Sequence, residues 1–160
     1  MMEIEDALSL DILRLITSIS KSWFREGEKK IQDSGLSYME FRILRTLNDH
    51  GTLPMVKLAE MNSITQGWVT NLVDRLEQRG LAKRIRDSGD RRIIKIMSTE
   101  SGNKLYCEVR TIYEKHVAQA LSFMPASEKE TLISLLTKIE QKLSPGQNTQ
   151  ETPQEQYGSK

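Results

Sequence analysis

Apolar positions recur at helical spacing through most of this chain and switch once, past its midpoint, to the spacing of strands. Leu8, Ile12, Leu15, Ile16, Ile19 and Trp23 fall at three- and four-residue steps, so residues 5–32 read as one long amphipathic helix. Asp33-Ser34-Gly35 supplies its stop. Ser37-Tyr38-Met39-Glu40 has the form of a capping box, with the Ser hydroxyl accepting from the Glu40 amide while the Glu side chain reaches back. The helix it opens buries Phe41, Leu44 and Leu47 and closes at Asn48-Asp49-His50-Gly51. Pro54 sits where a first helical turn tolerates it. From there a short helix carrying Val56, Leu58 and Ala59 runs to Asn62. Asn62-Ser63 makes a turn, and Ser63 or Thr65 caps the next helix. Val69, Leu72, Val73 and Leu76 form the inward stripe of that helix, and Gly80 ends it. Its outward face is Gln66, Gly67, Thr70, Asn71 and Arg75, rich in hydrogen-bonding groups and poor in charge.

Residues 81–97 change period. Ile85, Ile94 and Ile96 are β-branched, basic residues alternate with them, and Asp87-Ser88-Gly89-Asp90 predicts a hairpin turn. Ser98-Thr99 then caps a helix over about 100–124, with Leu105, Val109, Ile112, Val117, Ala120 and Leu121 apolar, until Pro125 breaks it. Ser127-Glu128-Lys129-Glu130 reads as another capping box, opening a last helix to about Leu143 with Leu132, Leu135, Leu136, Ile139 and Leu143 on one stripe. Beyond Ser144-Pro145-Gly146 the chain is polar, and residues 144–160 are expected to be a disordered tail.

The predicted order is α-α-(β)-α-α-β-β-α-α, a mainly α (α+β) fold: a winged helix-turn-helix unit over about 37–97, flanked by long helices at 5–32 and 100–143 in a single domain, 1–143. The terminal helices carry wide apolar stripes outside the compact unit, and the simplest surface to cover them is a second copy of the chain.

Composition adds a location to this outline. The chain has 160 residues, 38% hydrophobic and 28% charged, which suits one soluble globular domain. Its net charge of +1 is uninformative, but residues 63–97 hold eight basic side chains (Arg75, Arg79, Lys83, Arg84, Arg86, Arg91, Arg92, Lys95) against four acidic ones (Asp74, Glu77, Asp87, Asp90). The positive charge is therefore local. An acidic N-terminus, MMEIED, argues against a signal peptide, and no apolar run approaches the roughly 20 residues that cross a bilayer. A single cysteine rules out an intrachain disulfide and fits a reducing compartment. The expectation is a soluble, cytoplasmic protein.

A helix pair with a polar second helix and a basic ribbon beside it has the shape of a DNA-groove reader. In that reading the face of residues 65–75 enters the major groove. The amides of Gln66 and Asn71 can read adenine, Thr65 and Thr70 can meet phosphate or a thymine methyl, and Arg75 can reach phosphates at the groove edge. Arg86 adds positive charge to the wing, and Arg91 or Arg92 can reach a narrow minor groove. The alternative from another class is a winged helix used for protein–protein assembly, which would not need Arg91 and Arg92. No Gly-rich phosphate loop, nucleophile elbow or carboxylate pair points to an enzyme, and no cofactor is expected. His50, His116 and Cys107 make no metal-ligand spacing.

The chain resembles the MarR family of winged helix-turn-helix transcriptional regulators. The resemblance rests on Leu36-Ser37-Tyr38-Met39-Glu40-Phe41, on Leu58-Ala59, on the run Val69 to Leu81, and on the wing Arg86-Asp87-Ser88-Gly89-Asp90-Arg91-Arg92 leading into Ser98-Thr99-Glu100-Ser101-Gly102. It covers about residues 5–143. It implies an obligate homodimer joined by the terminal helices, binding double-stranded DNA at a pseudo-palindromic operator and usually repressing. Gly67 and Trp68 depart from the small polar residues commoner in the family. Trp68 either stacks on a sugar or clasps the DNA backbone, or packs against the helix of residues 55–62. By resemblance Asp90 orients a wing arginine; otherwise it only caps the turn. The family often holds a small aromatic acid between its dimerisation helices and its DNA-binding lobe. Here Tyr38 would line that pocket, with Lys21 and Arg92 as anion partners. The other reading makes Tyr38 a hydrogen-bonded core aromatic and Lys21 a solvated charge. Oxidation-sensing members place a reactive cysteine early in their first helix, whereas Cys107 follows the wing beside Glu108, so a small buried hydrophobe is the expectation for it.

Overall fold

A computed structural model of the chain describes residues 2–87, 89 and 92–143. The expected tail, 144–160, and the wing-tip residues Ser88, Asp90 and Arg91 lie outside the described residues. The chain divides into two compact units, the first spanning Met1–Gln119 and the second beginning at Ala120.

The first unit contains α1 (Met2–Ile31), a 3-10 turn at Gln32–Ser34, α2 (Tyr38–His50), β1 (Leu53–Pro54), α3 (Met55–Asn62), α4 (Gln66–Gln78), β2 (Ala82–Arg86), β3 (Ile94–Ser98) and all but the last residue of α5 (Glu100–Ala120). The strands form one antiparallel sheet in the order β1-β3-β2, with Leu53 opposite Ile96 and Arg84 opposite Ile96 from the other side. Three helices and this ribbon make a winged helix-turn-helix, as the change of hydrophobic period predicts. Its core is Phe41, Ile43, Leu44, Leu58, Val69, Leu72, Val73, Leu76 and Ile96, each almost wholly removed from water. Burial of such side chains stabilises by about 1.5–3 kcal/mol apiece before chain entropy is charged. Every apolar position assigned to the inward stripe of α4 is in that core. Val56 and Ile94 are not: both are exposed. Ile94 shares the face of Ile96, two positions on, but stands at the hairpin end of the strand, where it is exposed.

Helix ends follow local hydrogen bonding. Ser37 accepts from the Glu40 amide at 3.2 Å while Glu40 accepts from the Ser37 amide at 2.9 Å, so the capping box is complete. Thr99 caps α5 by accepting from the Gly102 amide at 3.0 Å and donates its hydroxyl to the Gly80 carbonyl at 2.6 Å. The second unit holds α6 (Ala126–Leu143), which starts one residue before the expected box. The Pro125 carbonyl accepts from the amides of Glu128 and Lys129 at 3.2 Å, leaving Ser127 inside the first turn. Leu132, Leu135, Leu136 and Leu143 of α6 are exposed.

On α5 the buried positions are Gly102, Tyr106 and Val109. Tyr106 stacks on Phe41 with ring centroids 5.7 Å apart. Cys107, expected to be buried, is exposed. One step of about 100° from Tyr106 carries it off the core-facing stripe, and Ile112 is likewise exposed.

Gly102 fixes how close α5 comes to the wing. A Cβ there would stand 2.0 Å from the Leu81 carbonyl oxygen and 2.7 Å from Ser98 Oγ. The obstacle is backbone, which cannot swing aside. Gly102→Ala should lower stability by about 3 kcal/mol in urea unfolding. Gly67→Ala, where nothing lies within 4 Å of the added carbon, should instead raise it slightly, by up to about 1 kcal/mol. Equal effects of the two substitutions would show that the approach of α5 to Leu81 is not tight.

Candidate nucleic-acid interface

The turn between α3 and α4 is built from a small residue, a left-handed residue and a buried amide. Ala59 is buried where the helices cross. Ser63 has φ 54 and ψ 44, the left-handed conformation that reverses the chain, and the Ile64 amide returns to the Ala59 carbonyl at 3.1 Å. A non-glycine residue there costs about 1–2 kcal/mol, which the surrounding packing must offset. Asn62 is 2% exposed. Its Nδ2 donates to Thr46 Oγ1 at 3.1 Å and to the Leu58 carbonyl at 2.9 Å, and its own carbonyl accepts from Arg42 Nη2 at 3.1 Å. The turn is thereby tied to α2 by groups whose separation would leave buried polar atoms unpaired.

Thr65 has extended φ/ψ and its hydroxyl accepts from the Trp68 amide at 3.3 Å, which settles the N-cap of α4 on Thr65 rather than Ser63. With Val69, Leu72, Val73 and Leu76 facing the core, the rest of α4 is turned to solvent. Thr65, Gln66, Gly67, Trp68, Asn71 and Arg75 are exposed and Thr70 is half-buried. The Thr70 hydroxyl donates to the Gln66 carbonyl at 3.0 Å. Trp68 is 46% exposed. Arg75 is also a structural partner: its Nε lies 3.1 Å from Glu40 Oε1, a carboxylate inside the fold. Arg79 Nη1 donates to the Gly35 carbonyl at 2.8 Å and stands 3.9 Å from Glu40 Oε2.

The wing is held to α4 by charge. Arg84 on β2 pairs with Asp74 Oδ1 at 2.5 Å and with Glu77, while its amide donates to Glu77 Oε1 at 3.0 Å. Partial burial pulls the Arg84 guanidinium down, hydrogen bonds from Asp74 and Glu77 pull it up, and the net shift is upward. Asp87 pairs with Lys95 across the hairpin and its Oδ1 accepts from the Gly89 amide at 2.9 Å. Among the described cations of residues 63–97, Arg75, Arg79, Arg84 and Lys95 face carboxylates. Lys83, Arg86 and Arg92 are exposed. Asp90 and Arg91, assigned to the same tip, lie outside the described residues.

The candidate ligand residues meet different surroundings. Tyr38 sits in an aromatic cluster: its ring is edge-on to Phe24 at 5.2 Å and tilted against Tyr113 at 5.7 Å, and its Oη is 3.0 Å from Tyr113 Oη. Burial, then the bond to Tyr38, push the Tyr113 phenol well above its ordinary range. Gly27 on α1 admits both rings, since a Cβ would stand 3.0 Å from Tyr38 and 3.2 Å from Tyr113. Lys21 is exposed on α1. Glu28 binds α1 to the start of α2 by accepting from the Tyr38 amide at 2.7 Å. Among the described residues no group of three His, Cys, Asp or Glu could hold a metal, and no helix is long and apolar enough to cross a membrane.

Sequence reasoning missed the Asn62–Thr46–Arg42 network, the Arg84 staple and the second role of Glu40. The first had a faint signal, an Asn at a helix end; the other two had none, because the partners are far apart in sequence.

The family model described as "MarR family" matches residues 36–94. Among curated relatives, the HTH-type transcriptional regulator FarR of Neisseria gonorrhoeae is 30% identical over 118 residues, covering 71% of this chain and 80% of that protein. Among solved structures, the transcriptional regulator BldR of Sulfolobus solfataricus superposes with a TM-score of 0.76 at 32% identity, covering 84% of this chain and 95% of that one. A MarR variant from E. coli complexed with operator DNA superposes with a TM-score of 0.73 at 22% identity, over 81% of this chain and 93% of that one.

Thr65→Ala removes the hydroxyl that caps α4. Unfolding in denaturant should show a loss of about 1 kcal/mol, with far-UV circular dichroism unchanged. A loss below a few tenths would mean that the cap does not set the start of this helix.

Proposed function

The chain belongs to the MarR family of transcriptional regulators, and on that premise we propose that it is a homodimeric repressor binding a pseudo-palindromic operator. The observation that carries this reading is the division of α4 into a wholly buried apolar stripe and an exposed polar face beside a basic wing. Gln66 and Asn71 read base edges in the major groove, and Thr65 and the Thr70 methyl meet phosphate and thymine. Trp68 and Gly67 lie against the backbone at the mouth of the groove. Arg86, Arg91 and Arg92 carry the wing into the minor groove, with Asp90 orienting an arginine.

The dimer reading draws support from apolar side chains left in water. Leu8, Ile12, Leu15 and Ile19 of α1 are exposed along one stripe, and α6 separately exposes Leu132, Leu135 and Leu136. A monomer seldom tolerates such stripes, and a second copy covers them symmetrically. Two reading heads would then stand about 34 Å apart, one turn of the duplex. Residues 1–143 act as a single domain in this reading, in a soluble cytoplasmic protein without catalytic activity. A small aromatic acid releases the DNA by binding beside Tyr38, with Lys21 and Arg92 as its anion partners.

Titration of the chain's own promoter region should give tight binding that weakens steeply with salt, and a random duplex should bind at least about a thousandfold more weakly. Equal affinity for both at every salt concentration would remove operator specificity. Replacing Arg91 and Arg92 together by Ala should abolish promoter binding and leave the sedimentation coefficient of the dimer unchanged; retained binding would favour the assembly reading instead. Salicylate should bind the parent more tightly than it binds Tyr38→Phe with Lys21→Ala. If the double variant binds it as well as the parent does, the pocket is elsewhere.

A further inference from the structure

Among the described residues the buried polar side chains are Glu40, Thr46 and Asn62, and of these Glu40 alone carries a charge. Its capping duty does not require that charge. A capping box needs an acceptor at this position, and glutamine supplies one as well as glutamate. Burying a carboxylate costs several kcal/mol unless cations and hydrogen bonds compensate it, so the ionised form must be serving something besides the cap.

The compensation comes from the recognition helix. Glu40 Oε1 takes Arg75 Nε at 3.1 Å, and Oε2, already bound to the Ser37 amide, has Arg79 Nη1 at 3.9 Å. Arg75 lies one helical turn beyond Asn71 on the exposed face of α4, and its side chain is still 56% exposed. A guanidinium in that position is within reach of a duplex lying on α4. DNA phosphates and the Glu40 carboxylate are therefore rivals for the same cations.

We propose that Glu40 is a specificity-determining residue: its buried carboxylate withholds Arg75 and Arg79 from DNA phosphates. This lowers sequence-independent affinity and leaves discrimination to the polar face of α4 and the wing. The inference rests on the DNA-binding reading above. Phosphate contacts made by arginine read no sequence and add salt dependence. They supply essentially all of the binding to a random duplex, where the register is free and a released arginine finds a phosphate in any position. At an operator, where base contacts fix the register, they supply only a share. Restraining two of them costs operator binding little in relative terms, because base contacts and the wing remain, and it costs random binding more.

The test measures binding of the full-length chain to its own promoter fragment and to a random-sequence duplex across a range of salt. The proteins compared are the parent, Glu40→Gln, Glu40→Gln with Arg75→Gln, and Asp49→Asn as a control that removes an exposed negative charge from the other end of α2. Glu40→Gln keeps the cap and frees Arg75, and it loosens Arg79, whose Nη1 still donates to the Gly35 carbonyl. Its random-duplex salt slope should steepen by roughly 0.9 for each arginine released, so the affinity lost between about 50 and 200 mM salt grows roughly threefold per arginine. The promoter-to-random ratio should fall. Adding Arg75→Gln should reverse most of the change, and Asp49→Asn should leave the slope alone.

An unchanged slope in Glu40→Gln overturns the proposal. So does a loss of promoter affinity at constant slope, which would make the carboxylate a positioning group, and so does an equal steepening in Asp49→Asn, which would reduce the effect to net charge. Should Glu40→Gln fail to fold, Arg75→Gln alone decides. A withheld arginine can be removed with little change in random-duplex slope, whereas a slope shallower by roughly 0.9 means that Arg75 was on phosphate all along. A parent that binds neither duplex overturns the DNA-binding reading itself, and this inference with it.

Discussion

Four side chains, Val69, Leu72, Val73 and Leu76, have no measurable exposure, and their burial constrains everything around the interface. They lie on one stripe of a 13-residue helix, so packing them against α2 and α3 leaves α4 no rotational freedom. The polar residues between them are turned outward as a consequence. Each of the other devices in the unit tunes this one contact. Ser63 and Asn62 set where α4 begins, Thr65 ends its fraying, Glu40 holds its second half against α2, and Arg84 ties it to the wing.

Charge in this protein follows the same logic at lower cost. Cations between 63 and 97 divide by their place in the fold. Arg75, Arg79 and Arg84 bridge elements through Glu40, Asp74 and Glu77, which makes them fasteners. Lys83 and Arg86 are exposed on the ribbon. Counting basic residues along the chain locates an electrostatic footprint, but it overstates how much of that footprint a duplex would meet. The wing, with its charge on a two-stranded edge, retains most of it.

Much of this was legible beforehand because it depends on short-range rules. The α4 stripe, the Ser37 and Thr99 caps, the hairpin and the order of elements all come from spacing and from residues within four positions of one another. Failures came where distant partners decide. The place of Cys107 after the wing and beside Glu108 suggests a small buried hydrophobe, yet the ring of Phe41 selects Tyr106 as the core position on α5 and leaves its neighbour outside. Ser127 fitted a capping box, but the Pro125 carbonyl captured the first amides. The aromatic cluster of Phe24, Tyr38, Phe41, Tyr106 and Tyr113 draws on three helices and leaves no pattern in any one of them.

What the amino-acid order determined by itself is therefore the set of elements, their inward faces and the family to which the chain belongs. Periodicity and capping are properties of neighbours, and neighbours are given by the chain. Tertiary structure alone decided which charges are spent inside the fold and which face a ligand. Glu40 meets Arg75 across 35 positions, and Gly102 meets the Leu81 carbonyl across the whole wing. Such pairings come from closing a particular set of surfaces on one another, and no local signal announces them. The recognition helix was visible as a polar face in the sequence; that a buried carboxylate pairs with an arginine of that face became visible only once the helices were packed.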